Sequence, residues 1–144
     1  MDHIYFYGRT KGRVNGKYRF LSNFYVAPIM LDGKQYRTIE HYFQSQKFPG
    51  EDLGEAIRLA DTARAAKKLA WQRPAPADWD ERKESVMLAA LRTKFAQYPE
   101  LAQKLLATGD AQLHEDSPDD LFWGVKGRDR LGQLLMKVRE ELRG

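Results

Sequence analysis

The sequence contains no cysteine. That alone excludes disulfides, thiolate nucleophiles and thiolate metal ligands. Histidine is scarce, with His3, His41 and His114 the only ones. No two of them have the helical spacing of a zinc motif, so no metal centre and no cofactor is expected. The glycine-rich phosphate loop G-x-x-x-x-G-K-[ST] is missing. No apolar run is long enough to cross a bilayer, so no membrane partner is expected. The opening residues MDHIYFYGRTKG lack the basic-then-apolar order of a secretory leader, which points to a cytoplasmic protein. Internal repeats and low-complexity tracts are absent as well.

What is present suits one domain over residues 1–144. The chain is 42% hydrophobic and 31% charged, a balance that supports a folded core rather than disorder. A net charge of +4 and a pI of about 9.3 favour partners that bear phosphate. The basic residues cluster only mildly, in ARAAKKLAWQR and VKGRDR, and form no dense arm of the nucleic-acid kind.

The N-terminal quarter reads as β-rich. HIYFYG is expected to be a strand, RTKGRVNGK a polar loop, and APIMLDGKQYRT a hairpin turning at Asp32-Gly33 in type I′ geometry. From Thr38 the pattern becomes helical. Thr38 can cap a helix over EHYFQSQKF. DLGEAIRLADTARAAKKLAW reads as one broken helix or two short ones, with Asp61 as a cap for the second part. A long helix begins near Asp78 and Glu81 and runs to Tyr98, burying Met87, Leu91, Phe95 and Tyr98. Pro99 opens another helix that Thr108-Gly109 closes. AQLHEDS is a short strand or extended link, and PDDLFWGVKGRD an irregular loop. RLGQLLMKVREEL is amphipathic, with Leu131, Leu134, Leu135, Val138 and Leu142 on one face. The fold class is therefore α+β, mainly helical, with a small N-terminal antiparallel sheet.

Three stretches carry more functional groups than a core requires. In EHYFQSQKF, residues three, four and seven apart share a helix face. Glu40, Phe43, Gln44 and Lys47 obey that spacing, which sets an acid and an amine about 10 Å apart with an amide between them. The plain alternative is that dipole-favoured end charges flank a solvated amide and a core phenylalanine. In DDLFWGVKGRDRLG, Asp120 precedes Trp123 by three residues. Gly124, Gly127 and Gly132 allow close backbone approach, and Trp123 offers a flat face for a base or sugar. The plain alternative is a glycine-rich surface loop anchored by a buried tryptophan. In FLSNFY, Ser22 and Asn23 are either a turn bonded to its own backbone or contacts for a ribose hydroxyl or phosphate oxygen.

These stretches, in this order, resemble the YbiA-like family, also called NADAR (NAD- and ADP-ribose-associated). The resemblance rests on Ser22-Asn23-Phe24, on Glu40 to Phe48, and on Met87 with Lys94-Phe95. It continues through Leu105 to Gly109, Asp120 with Trp123-Gly124, and Leu131 to Arg139, and so covers nearly the whole chain. It implies a mainly helical α+β fold and hydrolysis of N-glycosidic bonds at ribose-type sugars. By the resemblance, Glu40, Asp120 and Trp123 are catalytic, joined by Lys47 from the same helix. Ser22, Asn23, Phe24, His41, Phe43, Gln44, Lys94, Gly124, Asp129 and Arg130 are the candidate substrate contacts. Where the family often has Asn before RLG this chain has Asp129, an anion in place of a neutral amide, which disfavours a phosphate contact there.

Two substrates follow from the resemblance. One is ADP-ribosylated guanine in DNA, whose cleavage reverses ADP-ribosylation as an antitoxin would. The other is a phosphoribosylated intermediate of riboflavin synthesis. Lys47 then either neutralises a phosphate or attacks an opened sugar as an amine. A rival of another class is a module that binds ADP-ribose or NAD without turnover. A nucleic-acid-binding protein without chemistry is weakest, since the aromatics match no nucleic-acid motif.

Overall fold

The structure is a computed structural model that describes residues 2–8 and 12–144. Residues 9–11, part of the expected loop RTKGRVNGK, lie outside the described residues. The fold is α+β and mainly helical. It divides into two compact units, one built from residues 1–25 and 98–144, the other from Val26–Gln97.

In the Val26–Gln97 unit, strands β2 (Ile29–Leu31) and β3 (Lys34–Tyr36) form the expected antiparallel hairpin. Asp32 and Gly33 both take positive φ, 53° and 79°, as a type I′ turn demands. Gln97 ties the hairpin to the end of helix α4 (Trp79–Gln97): its amide donates to the Met30 carbonyl at 2.8 Å and accepts from the Met30 N–H at 3.0 Å. Helix α1 (Ile39–Ser45) starts where Thr38 Oγ1 accepts the His41 N–H, and every one of its residues is buried. It packs against α2 (Asp52–Arg58), α3 (Ala63–Ala70) and α4. The α2–α3 stretch is thus two helices, and the second is capped by Thr62 rather than Asp61, the Thr62 hydroxyl accepting from Ala65. Phe48, Ile57, Ala60, Ala66 and Ala70 form the core beneath them.

In the other unit, β1 (His3–Phe6) pairs in parallel with β4 (Gln112–Glu115), more than a hundred residues later. The N-terminal strand therefore does not join the β2–β3 hairpin in one antiparallel sheet. A 3-10 helix, Gly16–Leu21, follows β1. Helix α5 (Pro99–Ala107) has Pro99 in its first turn and closes at Thr108 and Gly109, the latter at φ 65°. Helix α6 (Arg130–Arg143) packs on β4 and α5. A Cβ at position 132 would overlap the Leu113 carbonyl oxygen, so only glycine lets α6 lie this close to β4. The α6 face buries Leu131, Leu134, Leu135 and Val138, but Leu142 is 36% exposed because it falls in the last turn of the chain. Among the described residues, no helix is long and apolar enough to cross a membrane.

Candidate active site

The Val26–Gln97 unit holds the denser group. Glu40 and Gln44 are 6% and 5% exposed, so the amide is enclosed rather than solvated as in the plain alternative. Gln44 Nε2 donates to Glu40 Oε2 at 2.7 Å. Gln44 Oε1 is buried and accepts nothing. A buried carboxylate and an orphaned amide oxygen are both costly to the fold. α1 ends at Ser45, so Lys47 is not on the helix but in the turn after it, its N–H donating to the Gln44 carbonyl at 3.2 Å. Its ammonium is half-buried and feels the Glu40 charge. Burial pushes the Lys47 pKa below its usual value, Glu40 pulls it back, and Lys67 and Lys83 push it down again.

One wall of this site was not anticipated. Trp79 opens α4, is 6% exposed, and lies 5.0 Å from the Phe43 ring at a 58° tilt. Lys47 Nζ stands 5.9 Å from its ring centre and the Arg82 guanidinium 5.1 Å, both within cation–π range. The signal available in sequence was a lone tryptophan in the charged first turn DWDER, where no core residue is needed. Phe43 thus serves as packing for an aromatic wall.

The two other candidates in this unit, His41 and Lys94, are buried. His41 is fully buried and both ring nitrogens are used: Nδ1 bonds Thr38 Oγ1 at 2.8 Å and Nε2 the Ala60 carbonyl at 2.9 Å. With a carbonyl as partner, Nε2 carries the proton and Nδ1 accepts from the hydroxyl. Burial lowers its pKa, opposed by the Ala60 bond, so it is a neutral strut between α1 and the segment after α2. Lys94 is 1% exposed, and burial drops its pKa to about 7.

The second unit carries the loop after β4. Asp120 Oδ1 accepts the N–H groups of Phe122 and Trp123 at 3.0 and 2.8 Å, so this carboxylate shapes the Trp123 turn. Trp123 is 8% exposed and meets Phe122 edge-on at 4.7 Å. The room left by Gly124 is taken by the chain's own backbone, since a Cβ there would stand 2.6 Å from the Asp120 carbonyl oxygen. Arg130 opens α6 and its guanidinium donates to the Gln133 side chain. Asp129 accepts from His114 Nδ1 at 2.5 Å. Ser22 Oγ accepts the Phe24 N–H at 3.0 Å, the backbone-bonded turn expected as the plain alternative; Asn23 is buried and Phe24 is 37% exposed. An open cleft of about 510 Å³, bordered by His3, Tyr5, Arg13, Asn15 and Tyr18, contains none of the candidates named from sequence.

Residues 5–143 match the NADAR domain family. The chain is 45% identical to N-glycosidase YbiA of Escherichia coli strain K12 over 131 residues, 87% of this chain and 82% of that protein. It is 41% identical to a riboflavin biosynthesis protein of Vibrio vulnificus over 148 residues, 96% of this chain but only 38% of that protein. Its fold is similar to the NMR structure of the Escherichia coli protein YbiA, with a TM-score of 0.83 and 40% identity, covering 99% of this chain and 87% of that one. With a match across residues 5–143 and relatives at this identity, the chain belongs to the NADAR domain family.

Proposed function

We propose that this enzyme hydrolyses the N-glycosidic bond of a ribosyl nucleotide derivative, with ADP-ribosylated guanine in DNA as the leading substrate. N-glycosidase activity itself is carried by the relatives: the chain is an N-glycosidase. The observation that supports a ribosyl substrate is the buried Glu40–Gln44 pair beside half-buried Lys47, walled by Phe43 and Trp79. Cleavage builds positive charge on the anomeric carbon and ring oxygen. A carboxylate held at 6% exposure stabilises that charge more than one in water would. Glu40 also suits the activation of water. Gln44 holds one carboxylate oxygen and offers its free Oε1 to a sugar hydroxyl. The aromatic wall covers the reacting bond and excludes solvent. In the other unit, Asp120 sets the Trp123 turn, and both are assigned to the substrate by the family resemblance.

The net charge of +4 agrees with a phosphate-bearing substrate of either kind. A phosphoribosylated riboflavin intermediate is the second reading, favoured by the relative named for riboflavin biosynthesis that matches 96% of this chain. Incubating the purified protein with ADP-ribosylated DNA and with riboflavin intermediates, side by side, separates the two. Release of ADP-ribose, with unmodified guanine left in the DNA, is expected. Turnover of the riboflavin intermediate alone reverses the order, and binding of ADP-ribose without cleavage of either overturns both.

The depressed pKa of Lys47 favours the amine as nucleophile. In that route the amine bonds the anomeric carbon, the base leaves with the bonding pair and a proton, and the ring opens to an imine that water later hydrolyses. Borohydride added during turnover is then expected to leave a sugar-sized adduct on Lys47, read by mass spectrometry, and both Lys47→Arg and Lys47→Ala lose nearly all activity. An active Lys47→Arg without any adduct assigns the lysine to phosphate instead.

A further inference from the structure

Three side chains in the unit of residues 1–25 and 98–144 form a hydrogen-bonded chain that extends the His114–Asp129 bond to His3. His3 on β1 and His114 on β4 lie on one face of the two-stranded sheet, rings stacked 5.1 Å apart. His3 Nδ1 meets His114 Nε2 at 2.9 Å, and His114 Nδ1 meets Asp129 Oδ2 at 2.5 Å. A carboxylate only accepts, so His114 carries its proton on Nδ1 and presents a lone pair at Nε2. His3 must then donate from Nδ1. Asp129 thereby dictates the tautomer of both rings.

The same carboxylate stands at a backbone junction. Asp129 is left-handed, with φ 56° and ψ 36°, and its side chain makes no cap bond to α6. That conformation is easier for Asn than for Asp bearing a charge beside an unpartnered, buried Oδ1. The Asp129 N–H donates to the Gly124 carbonyl, Arg130 to Phe122 and Leu131 to Trp123. On the other side, Val125 donates to Glu115, the residue next to His114. The His114–Asp129 bond therefore closes a loop whose centre is Trp123.

We propose that Asp129, acting through His114, is a positioning residue for Trp123. The proposal rests on the reading of Trp123 as a substrate contact. Among the described residues, Tyr5 lies 5.0 Å from the His114 ring, and Arg13 stands 3.7 Å above Tyr5 and is bonded twice to Asp116. His114 and Lys126 both act on Asp116, and Arg130 is turned to Gln133.

Long-range imidazole ¹H–¹⁵N spectra of the labelled protein test the latch without any substrate. Both rings are expected as Nδ1–H tautomers when neutral, the minor form of free histidine. Asp129→Asn is expected to release His114 from that form, shift the Trp123 indole signal and lower kcat/KM about tenfold. His114→Asn, which still donates to Asp129 from the position of Nδ1, is expected to keep the indole signal of wild type. An Nε2–H tautomer at His114, or an Asp129→Asn protein whose Trp123 signal superimposes on wild type, overturns the proposal. Because the tautomer and indole spectra contain no substrate, they stand even if no N-glycoside is cleaved.

Discussion

Glu40→Gln is expected to lower the rate of N-glycoside cleavage at least about a hundredfold while the protein melts within a few degrees of wild type. The substitution is nearly isosteric. Gln44 Nε2 now donates at 2.7 Å to a carboxylate oxygen, and an amide oxygen can take its place if the new side chain turns that way. What disappears is the charge, in a site where 6% exposure leaves little water to screen it. The same change removes the anion that raises the Lys47 pKa against burial, so the lysine should titrate lower in the variant. If Glu40 acted only as a fold element, the loss would fall on stability instead. A folded Glu40→Gln protein with turnover near wild type would sink the assigned role.

The second large effect concerns Lys94 and is a matter of stability against pH. Burial lowers its folded pKa from 10.5 to about 7. Between those values the unfolded chain holds a proton that the folded chain has released, so stability rises with pH across that window. The slope is roughly 1.4 kcal/mol per pH unit at most. Below pH 7 both states are protonated and the cost of burying the ammonium is present in full. Lys94→Met keeps the length and apolar stem, removes the titration, and is expected to stabilise the protein at pH 6.5 by about 4 kcal/mol. The gap from wild type should shrink towards zero near pH 10. Parallel denaturation curves for the two proteins from pH 6.5 to 10 would show that Lys94 keeps its charge in the folded state. An accompanying loss of activity in Lys94→Met would show that the buried amine is retained for the substrate.

The local signals in the sequence were strong where a single turn or cap decides the backbone. Asp32-Gly33, Thr38, Pro99 and Thr108-Gly109 act within four residues, so the hairpin, the start of α1 and both ends of α5 could be read directly. Choosing Thr62 over Asp61 as a cap was beyond that reach, because both neighbours are good caps and the helix start selects one. The pairing of β1 with β4 was also beyond it. Parallel pairing joins strands far apart in the chain, and nothing in HIYF names QLHE as its partner.

The site divides the same way. Sequence alone determined which residue types exist for chemistry: no thiol, no metal set, and an acid, amides and an amine concentrated in TIEHYFQSQKF. Only the tertiary structure decided which of them are available. Packing of α1 against α2, α3 and α4 buried the whole helix, enclosing the carboxylate–amide pair and consuming His41 as a strut. It brought Trp79 against Phe43 from 36 positions away and engaged Asp120 in shaping its own loop. Burial, hydrogen-bond partners and pKa depend on what surrounds a side chain in three dimensions. Those neighbours come mostly from other elements, which is why the composition of the site was written in one segment and its electrostatics in several.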